Sequence, residues 1–317
     1  MGQARSRIFD PKVVGTYHCM SRCVRRAYLC GVDPVSKRSF DHRKQWIKDR
    51  LGFLTQVFSI ELISYVVMSN HLHTLIRNRP DKAALWSSEE VARRWRALFP
   101  KRQKDREADE AFEISLIAGN QELVELYRAR LSNISWFNRC LCEPIARRSN
   151  QEDECTGRFW EGRFKCQKVE KTNGILACSA YIDLNPVRAG IATTPEDSDF
   201  TAIQDRIRSA TRLTTPALID LIPIEELTGG TLTTIDYFKL VDTTGRALIA
   251  GKAHIPSDTA DILTRLQIKP DQWIDTISHL RKRFPRALGS ADALKSLASH
   301  TGQQWFHGMR SARQAFI

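Results

Sequence analysis

The sequence predicts an α+β fold: a ferredoxin-like antiparallel sheet with helices on one face, followed by a helical C-terminal region. Three observations carry this reading. Segments of period two and of period 3.6 follow one another in the order β, α, ββ, α, β, α. Two of the strand segments are separated only by Ser69-Asn70, the spacing of a hairpin. Beyond Pro195 the strand signals stop, and helical patterns run toward the end of the chain.

Taken in order, Thr16 to Arg22 alternates as a half-buried strand. Phe40 to Phe58 is an amphipathic helix: Trp46, Leu51, Leu54 and Phe58 lie near one stripe, with Arg43, Lys44, Lys48 and Arg50 off it. Residues 60–68 (IELISYVVM) are apolar and β-branched, a buried strand, and 71–77 (HLHTLIR) alternate as its partner. Residues 80–130 are charged and helical, with a capping signal at Ser87 or Ser88 and Glu89 or Glu90, and read as an insertion or a lid. Leu131 to Arg148 carries Ile134, Phe137, Leu141 and Ile145 at helical spacing. Gly157 to Val169 (GRFWEGRFKCQKV) reads as a strand, and Thr172 caps a helix reaching about Leu184, where Pro186 stops it. The polar stretch 193–199 divides the chain into regions 1–194 and 195–317. In the second region Pro270 to Phe284 and Ala291 to Ser299 are helical, and the tail residues Trp305, Phe306 and Arg310 are assigned to packing rather than to gripping a ligand.

At 42% hydrophobic residues the 317-residue chain can bury a core, which excludes disordered and collagen-like classes. Its formal charge of +12 is uneven: residues 1–194 hold 33 Lys and Arg against 22 Asp and Glu, and residues 195–317 hold 15 against 14. A basic first region fits a polyanionic partner, because cations that neutralise phosphates release counterions; a merely basic surface fits as well. No apolar run approaches the roughly 20 residues that span a bilayer, and the N-terminus lacks a secretory pattern, so a cytoplasmic protein without a membrane partner is expected. The eight cysteines include no C-x-x-C pair and are expected to be reduced thiols.

Three constellations carry chemistry. In a strand, residues i and i+2 share a face, so His71 and His73 stand side by side, suited to ligating one metal ion or simply alternating at a surface. Tyr181 lies late in its helix, with Asn185 one turn on and able to reach the same cation. A tyrosine hydroxyl, with a reference pKa of about 10, needs a metal or a base to become a nucleophile; a core tyrosine is the alternative. Arg158, Arg163, Lys165 and Lys168 interleave with Phe159, Trp160 and Phe164, either to track phosphates and stack bases or to divide between water and core.

Four segments in order, TYHCMSR (16–22), YVVMSNHLHTLIR (65–77), EPIARRSNQEDECTGRFWEGRFK (143–165) and AYIDLNPVRAG (180–190), resemble the HUH superfamily of single-tyrosine transposases, and more narrowly the REP-associated tyrosine transposases in a long form with a C-terminal extension. The resemblance spans residues 16–190 apart from the 80–130 insertion. It implies an HUH endonuclease core, with His71 and His73 as the paired metal ligands, Asn185 completing the shell and Tyr181 as the nucleophile. It further implies Mg²⁺ or Mn²⁺ as cofactor and cleavage and strand transfer of single-stranded DNA, at hairpin-forming repeats, through a 5′-phosphotyrosine. DNA contacts are expected from Arg22, Arg158, Trp160, Arg163, Lys165 and Arg188, in a monomer or homodimer. A DNA-binding regulator descended from such a transposase, its chemistry unused, is the alternative, as is a metal-dependent hydrolase that uses water.

Overall fold

The computed structural model describes residues 8–24, 30–33, 37–100, 106–211, 219–251 and 257–317; the N-terminal stretch read above and residues 101–105 of the charged segment lie partly or wholly outside these. The strands are β1 (Gly15–Arg22), β2 (Ile60–Val67), β3 (His71–Asn78), β4 (Lys165–Val169) and β5 (Ala287–Leu288). Helix α1 (His42–Val57) joins β1 to β2. Between β3 and β4 come α2 (Pro80–Ala84), α3 (Ser88–Leu98), α4 (Arg106–Ala118), α5 (Gln121–Leu131) and α6 (Ile134–Glu152). After β4 come α7 (Lys171–Asp183), α8 (Asn185–Arg188), α9 (Ala202–Ala210), α10 (Ile224–Thr228), α11 (Thr234–Ile249), α12 (Ser257–Arg265), α13 (Pro270–Arg283), α14 (Ala291–His300) and α15 (Met309–Ala315).

The sheet order is β2-β3-β1-β4-β5. Its first four strands are antiparallel neighbours in the ferredoxin-like arrangement. The β2–β3 hairpin turns at Ser69-Asn70 as the sequence predicts, with Met68 N–H bonded to the His71 carbonyl at 2.8 Å. β5 was not foreseen. It comes from the C-terminal region and runs parallel to β4, pairing Lys168 with Ala287 and Val169 with Leu288.

Alternation sorts the strands' side chains onto two faces. On one face Tyr17, Cys19, Tyr65, Leu72 and Ile76 meet Ile47, Leu51 and Leu54 of α1 and Phe137, Leu141 and Ile145 of α6. This is the single helical face expected from sequence. The other face is apolar too: Ile63, Val66, Leu75 and Val169 pack with α7 and with Tyr237, Leu240, Trp273, Ile277 and Phe284 from beyond residue 195. Helices therefore cover both faces, because a sheet with two apolar faces cannot leave one in water. The polar stretch 193–199 marks a change of element type, yet residues on either side of it share one core.

Other sequence expectations shift in detail. The charged segment puts Val91, Trp95, Leu98 and Val124 into the α1/α6 core, so it packs against α1 and α6 rather than standing off as a lid. Ser87 caps α3 by accepting from Glu90 N–H at 3.1 Å. The strand expected at 157–169 shrinks to Lys165–Val169. Gly157 takes a left-handed φ of 104°, and around Trp160 the segment makes only an isolated antiparallel bridge to Cys23, while the Trp160 indole N–H donates to the Cys142 carbonyl of α6 at 2.9 Å. Thr172 is not the cap of α7; Glu170 holds that position without a side-chain bond. Arg43, placed off the buried stripe by its charge, is fully buried: its Nε donates to Glu152 at 2.7 Å and its Nη2 to Asp153, joining α1 to the end of α6. Gly174, in the middle of α7, permits a close approach: a Cβ there would lie 3.2 Å from the Leu288 carbonyl oxygen, so β5 and α7 abut without a side chain between them.

One buried polar knot links the two regions. Asp183, at the end of α7, accepts from Ser64 Oγ on β2 at 2.9 Å and from the Tyr237 hydroxyl on α11 at 2.5 Å. Burial pushes its carboxyl up to about 6, against the opposing help of Tyr237, Arg206 and Ser64. The unfolded carboxyl ionises near 3.8 and the folded one only near 6, so the folded chain holds the proton longer and this group's contribution to stability falls as pH rises through that interval. We expect wild type to lose on the order of 2–3 kcal/mol relative to Asp183→Asn between pH 4 and pH 7. Denaturant unfolding of both proteins across that range checks it, and a pH-independent difference would contradict the assignment.

Candidate active site

On the face toward α7, β1 presents His18 and Met20, β3 presents His71 and His73, and β4 presents Gln167. The ladder places Met20 opposite His73, Arg22 opposite His71, and His18 opposite Gln167. Tyr181 reaches this group from α7, which lies against β2 and β3. Its ring centroid is 6.0 Å from that of His73 and 6.1 Å from that of His18, and the His71 and His73 rings are 4.9 Å apart. Two imidazoles and one phenol that are distant in sequence thus converge. The Tyr181 residue is 8% exposed, and its hydroxyl takes no hydrogen bond from any described residue.

His18 was missed by sequence reading. It sits in a strand recognised for its alternation, but only the register shows that it points at His73. His18 Nε2 lies 2.7 Å from His73 Nδ1, and His18 Nδ1 lies 3.1 Å from Gln167 Oε1. The Gln167 amide nitrogen donates to the Phe284 carbonyl, which fixes the orientation of the amide. From there the protons can be assigned from the hydrogen-bond network. Gln167 Oε1 can only accept, so His18 carries its proton on Nδ1. A neutral His18 then accepts at Nε2, so His73 donates from Nδ1 and keeps its lone pair on Nε2. His71 Nδ1 lies 2.6 Å from Asn70 Oδ1, an acceptor, which leaves His71 Nε2 as a second lone pair.

Neutrality is supported by the surroundings. Burial, followed by the charge of Arg281, pushes His18 down to about 3. Burial, then Arg22 and Arg281, pushes His71 down to about 4. His73 is held well below the ordinary imidazole value by burial, then by His18, His71, Arg281 and Arg188. Lone pairs on neutral imidazoles, each fixed by a bond at the other ring nitrogen, are what a metal ligand requires.

The donor set fits a divalent cation with most positions open. Among the described residues no three His, Cys, Asp or Glu side chains form a cation-holding group, and His18 is bonded to His73. That leaves two imidazole nitrogens, with Asn185 as a further oxygen source. Asn185 is buried one turn beyond Tyr181, and its amide nitrogen donates to the Tyr181 carbonyl at 2.9 Å, leaving Oδ1 without a bond from a described residue. It makes no hydrogen bond to either histidine. No disulfide joins the eight cysteines.

The expected DNA-contacting residues divide. Arg22 and Arg188 flank the histidine–tyrosine cluster, and the Arg188 guanidinium lies 4.9 Å from the centre of the Tyr181 ring. Arg158, Arg163 and Lys165 are exposed along the segment that leads into β4. Trp160 is half-buried and bonded to α6, and Phe159 is core. In the tail Phe306 is buried while Trp305 and Arg310 are exposed. Among the described residues no helix is long and apolar enough to cross a membrane.

No family model and no curated protein matches this chain. Among solved structures it is similar to that of a REP-associated tyrosine transposase bound to a REP hairpin, with a TM-score of 0.40 and 14% identity, over 71% of this chain and 93% of that one. A likeness at this level carries no weight in assigning the site, which stands on the geometry of the chain itself.

If His18 fixes the His73 tautomer, His18→Phe leaves the Nδ1 proton of His73 without its acceptor. Mn²⁺ affinity, measured by electron paramagnetic resonance of the free ion, should then fall by about 10–100-fold. Unchanged affinity in a folded variant would show that His73 does not depend on this bond.

Proposed function

We propose that the chain is a metal-dependent single-strand DNA endonuclease and transposase that cuts with Tyr181 as nucleophile. The observation that carries the reading is the convergence of His71, His73 and the unbonded phenol of Tyr181 at one place on the sheet. The order of the four motif segments and the basic excess of residues 1–194 support it.

His71 and His73 would hold Mg²⁺ or Mn²⁺ through their Nε2 atoms, with Asn185 Oδ1 as a further donor. Imidazole is an unusual ligand for Mg²⁺, so Mn²⁺ should bind at least as readily. Such an ion, when bound, would polarise the scissile phosphate and offset charge growing on its oxygens. The chain's own groups do the rest. Tyr181 attacks phosphorus; its oxygen–phosphorus bond forms as the bond from phosphorus to the 3′-oxygen breaks. The phenol proton passes to solvent, and the departing 3′-oxygen takes one up, leaving a 5′-phosphotyrosine and a free 3′-hydroxyl. His18 and His73 have spent the Nδ1–Nε2 pair on each other, so neither offers that edge as a base to the phenol. A tyrosine keeps the cut end attached, and the covalent link preserves the energy for rejoining. Arg22 and Arg188 would receive the phosphates on either side, with Arg158, Arg163 and Lys165 following the strand away. Hairpin-forming repeats are the substrate we infer.

Tyr181→Phe should abolish a denaturation-resistant protein–DNA adduct with labelled single-stranded hairpin DNA and Mn²⁺ while leaving binding by gel shift within about twofold. Cleaved DNA without an adduct in wild type would favour water as the nucleophile and sink the tyrosine mechanism.

A further inference from the structure

The C-terminal region contributes a cation to the site. Arg281, on α13, places Nη1 3.0 Å from the sulfur of Met20, the residue directly across the ladder from His73. Its charge is felt by His18, His71 and His73 together, and the Tyr181 oxygen acts in turn on Arg281. One guanidinium therefore faces the whole histidine–tyrosine cluster.

That guanidinium has no acid to answer it. Among the described residues Arg281 makes no ion pair and no hydrogen bond to oxygen, and its one bonded partner is a thioether, a weak acceptor. Of the two acids on its own helix, Asp271 lies in the first turn, ten residues from Arg281, and Asp275 is engaged with His279 at 2.9 Å and with Arg283. Asp183, the nearest acid on α7, is turned into the knot with Ser64 and Tyr237. The neighbouring cations are also unanswered. Arg22 is exposed and makes no side-chain bond to a described residue. Arg188 bonds only the Ser278 carbonyl, at 2.8 Å, and so is held in place by the helix that carries Arg281.

We propose that Arg281, with Arg22 and Arg188, forms a seat for one phosphodiester group in front of the Tyr181 phenol, and that building this seat is a task of the C-terminal region. A partly buried fork of N–H donors with no acceptor is unfavourable until an anion with several oxygens arrives, and phosphate matches the fork in two parallel bonds. Burial lowers the Arg281 pKa, with Tyr181 and Cys178 opposing, but an arginine at this position stays charged. The proposal rests on the cutting reading for its placement of the phenol; the phosphate seat itself does not require that cutting occurs.

Two measurements on the full chain test it. In metal-free buffer at matched ionic strength, inorganic phosphate in place of chloride should raise the melting temperature of wild type, and Arg281→Met, which keeps the aliphatic stem, should lose most of that rise. With hairpin DNA and Mn²⁺, Arg281→Met should form the adduct about 100-fold more slowly. Arg281→Lys, which keeps the charge without the fork, should lose at least about 10-fold. If Arg281→Met matches wild type in both assays, the seat is overturned while the cutting reading stands. If wild type shows the phosphate effect through Arg281 but makes no adduct, the cutting reading fails and the seat stands. Should Arg281→Met not fold, wild-type behaviour of Arg281→Lys in both assays overturns the fork.

Discussion

The site depends on a row of neutral polar groups threaded through an apolar interior. The Phe284 carbonyl fixes the Gln167 amide, the amide fixes His18, and His18 fixes His73. Each member has only one acceptable proton placement given its neighbour, so an orientation set by a backbone carbonyl in the C-terminal region reaches an imidazole on β3. Burial is what makes the row work. Fully buried His18 and His73 cannot readily charge, so they cannot drop out of register by picking up a second proton. Residues beyond 195 share with α7 the task of covering this face of the sheet.

That dependence explains which parts were legible in the sequence. Strand alternation marked β1, β2 and β3, and the H-x-H spacing put His71 and His73 on one face. The turn from Tyr181 to Asn185 was readable from helical spacing. Those are local signals. His18, Gln167 and Arg281 were invisible for the opposite reason: each is a single residue whose role exists only after β1 pairs with β3 and β4 and after α13 docks near Met20. Arg43 misled in a related way. Its charge argued for water, and only the tertiary placement of Glu152 and Asp153 makes its burial tolerable. The strand expected over 157–169 is interrupted because an interleaved aromatic and basic pattern looks the same whether it pairs continuously or, as around Trp160, makes one isolated bridge to Cys23 with the indole bonded to a helix.

Net charge was also an incomplete guide. The C-terminal region is nearly neutral overall, yet it places Arg281 beside three histidines and holds Arg188 through Ser278. What matters to an incoming anion is the local excess of unpaired cations, not the sum over a region. Many arginines elsewhere in the chain are paired, as Arg79 is with Glu61 and Asp81, and Arg94 with Glu90. The uneven charge read from the sequence is therefore a weaker pointer than the pairing pattern read from the structure.

Pairing also bears on what the phenol is for. Two of the deeply buried tyrosines are bonded to carboxylates through their hydroxyls, Tyr237 to Asp183 at 2.5 Å and Tyr65 to Asp205 at 2.6 Å, whereas the buried Tyr17 has no such bond. Burial first, then the adjoining carboxylates and those bonds, makes the Tyr65 and Tyr237 phenols harder to ionise. Tyr181 is nearly as buried as a residue, but its hydroxyl has no such acceptor, and the charges around it are guanidinium groups rather than carboxylates. A hydroxyl kept for packing gains by being satisfied, as Tyr65 and Tyr237 are. Of Tyr65, Tyr181 and Tyr237 only Tyr181 keeps its hydroxyl uncommitted, with the Arg188 guanidinium 4.9 Å from its ring, which is the arrangement the proposed attack on phosphorus requires.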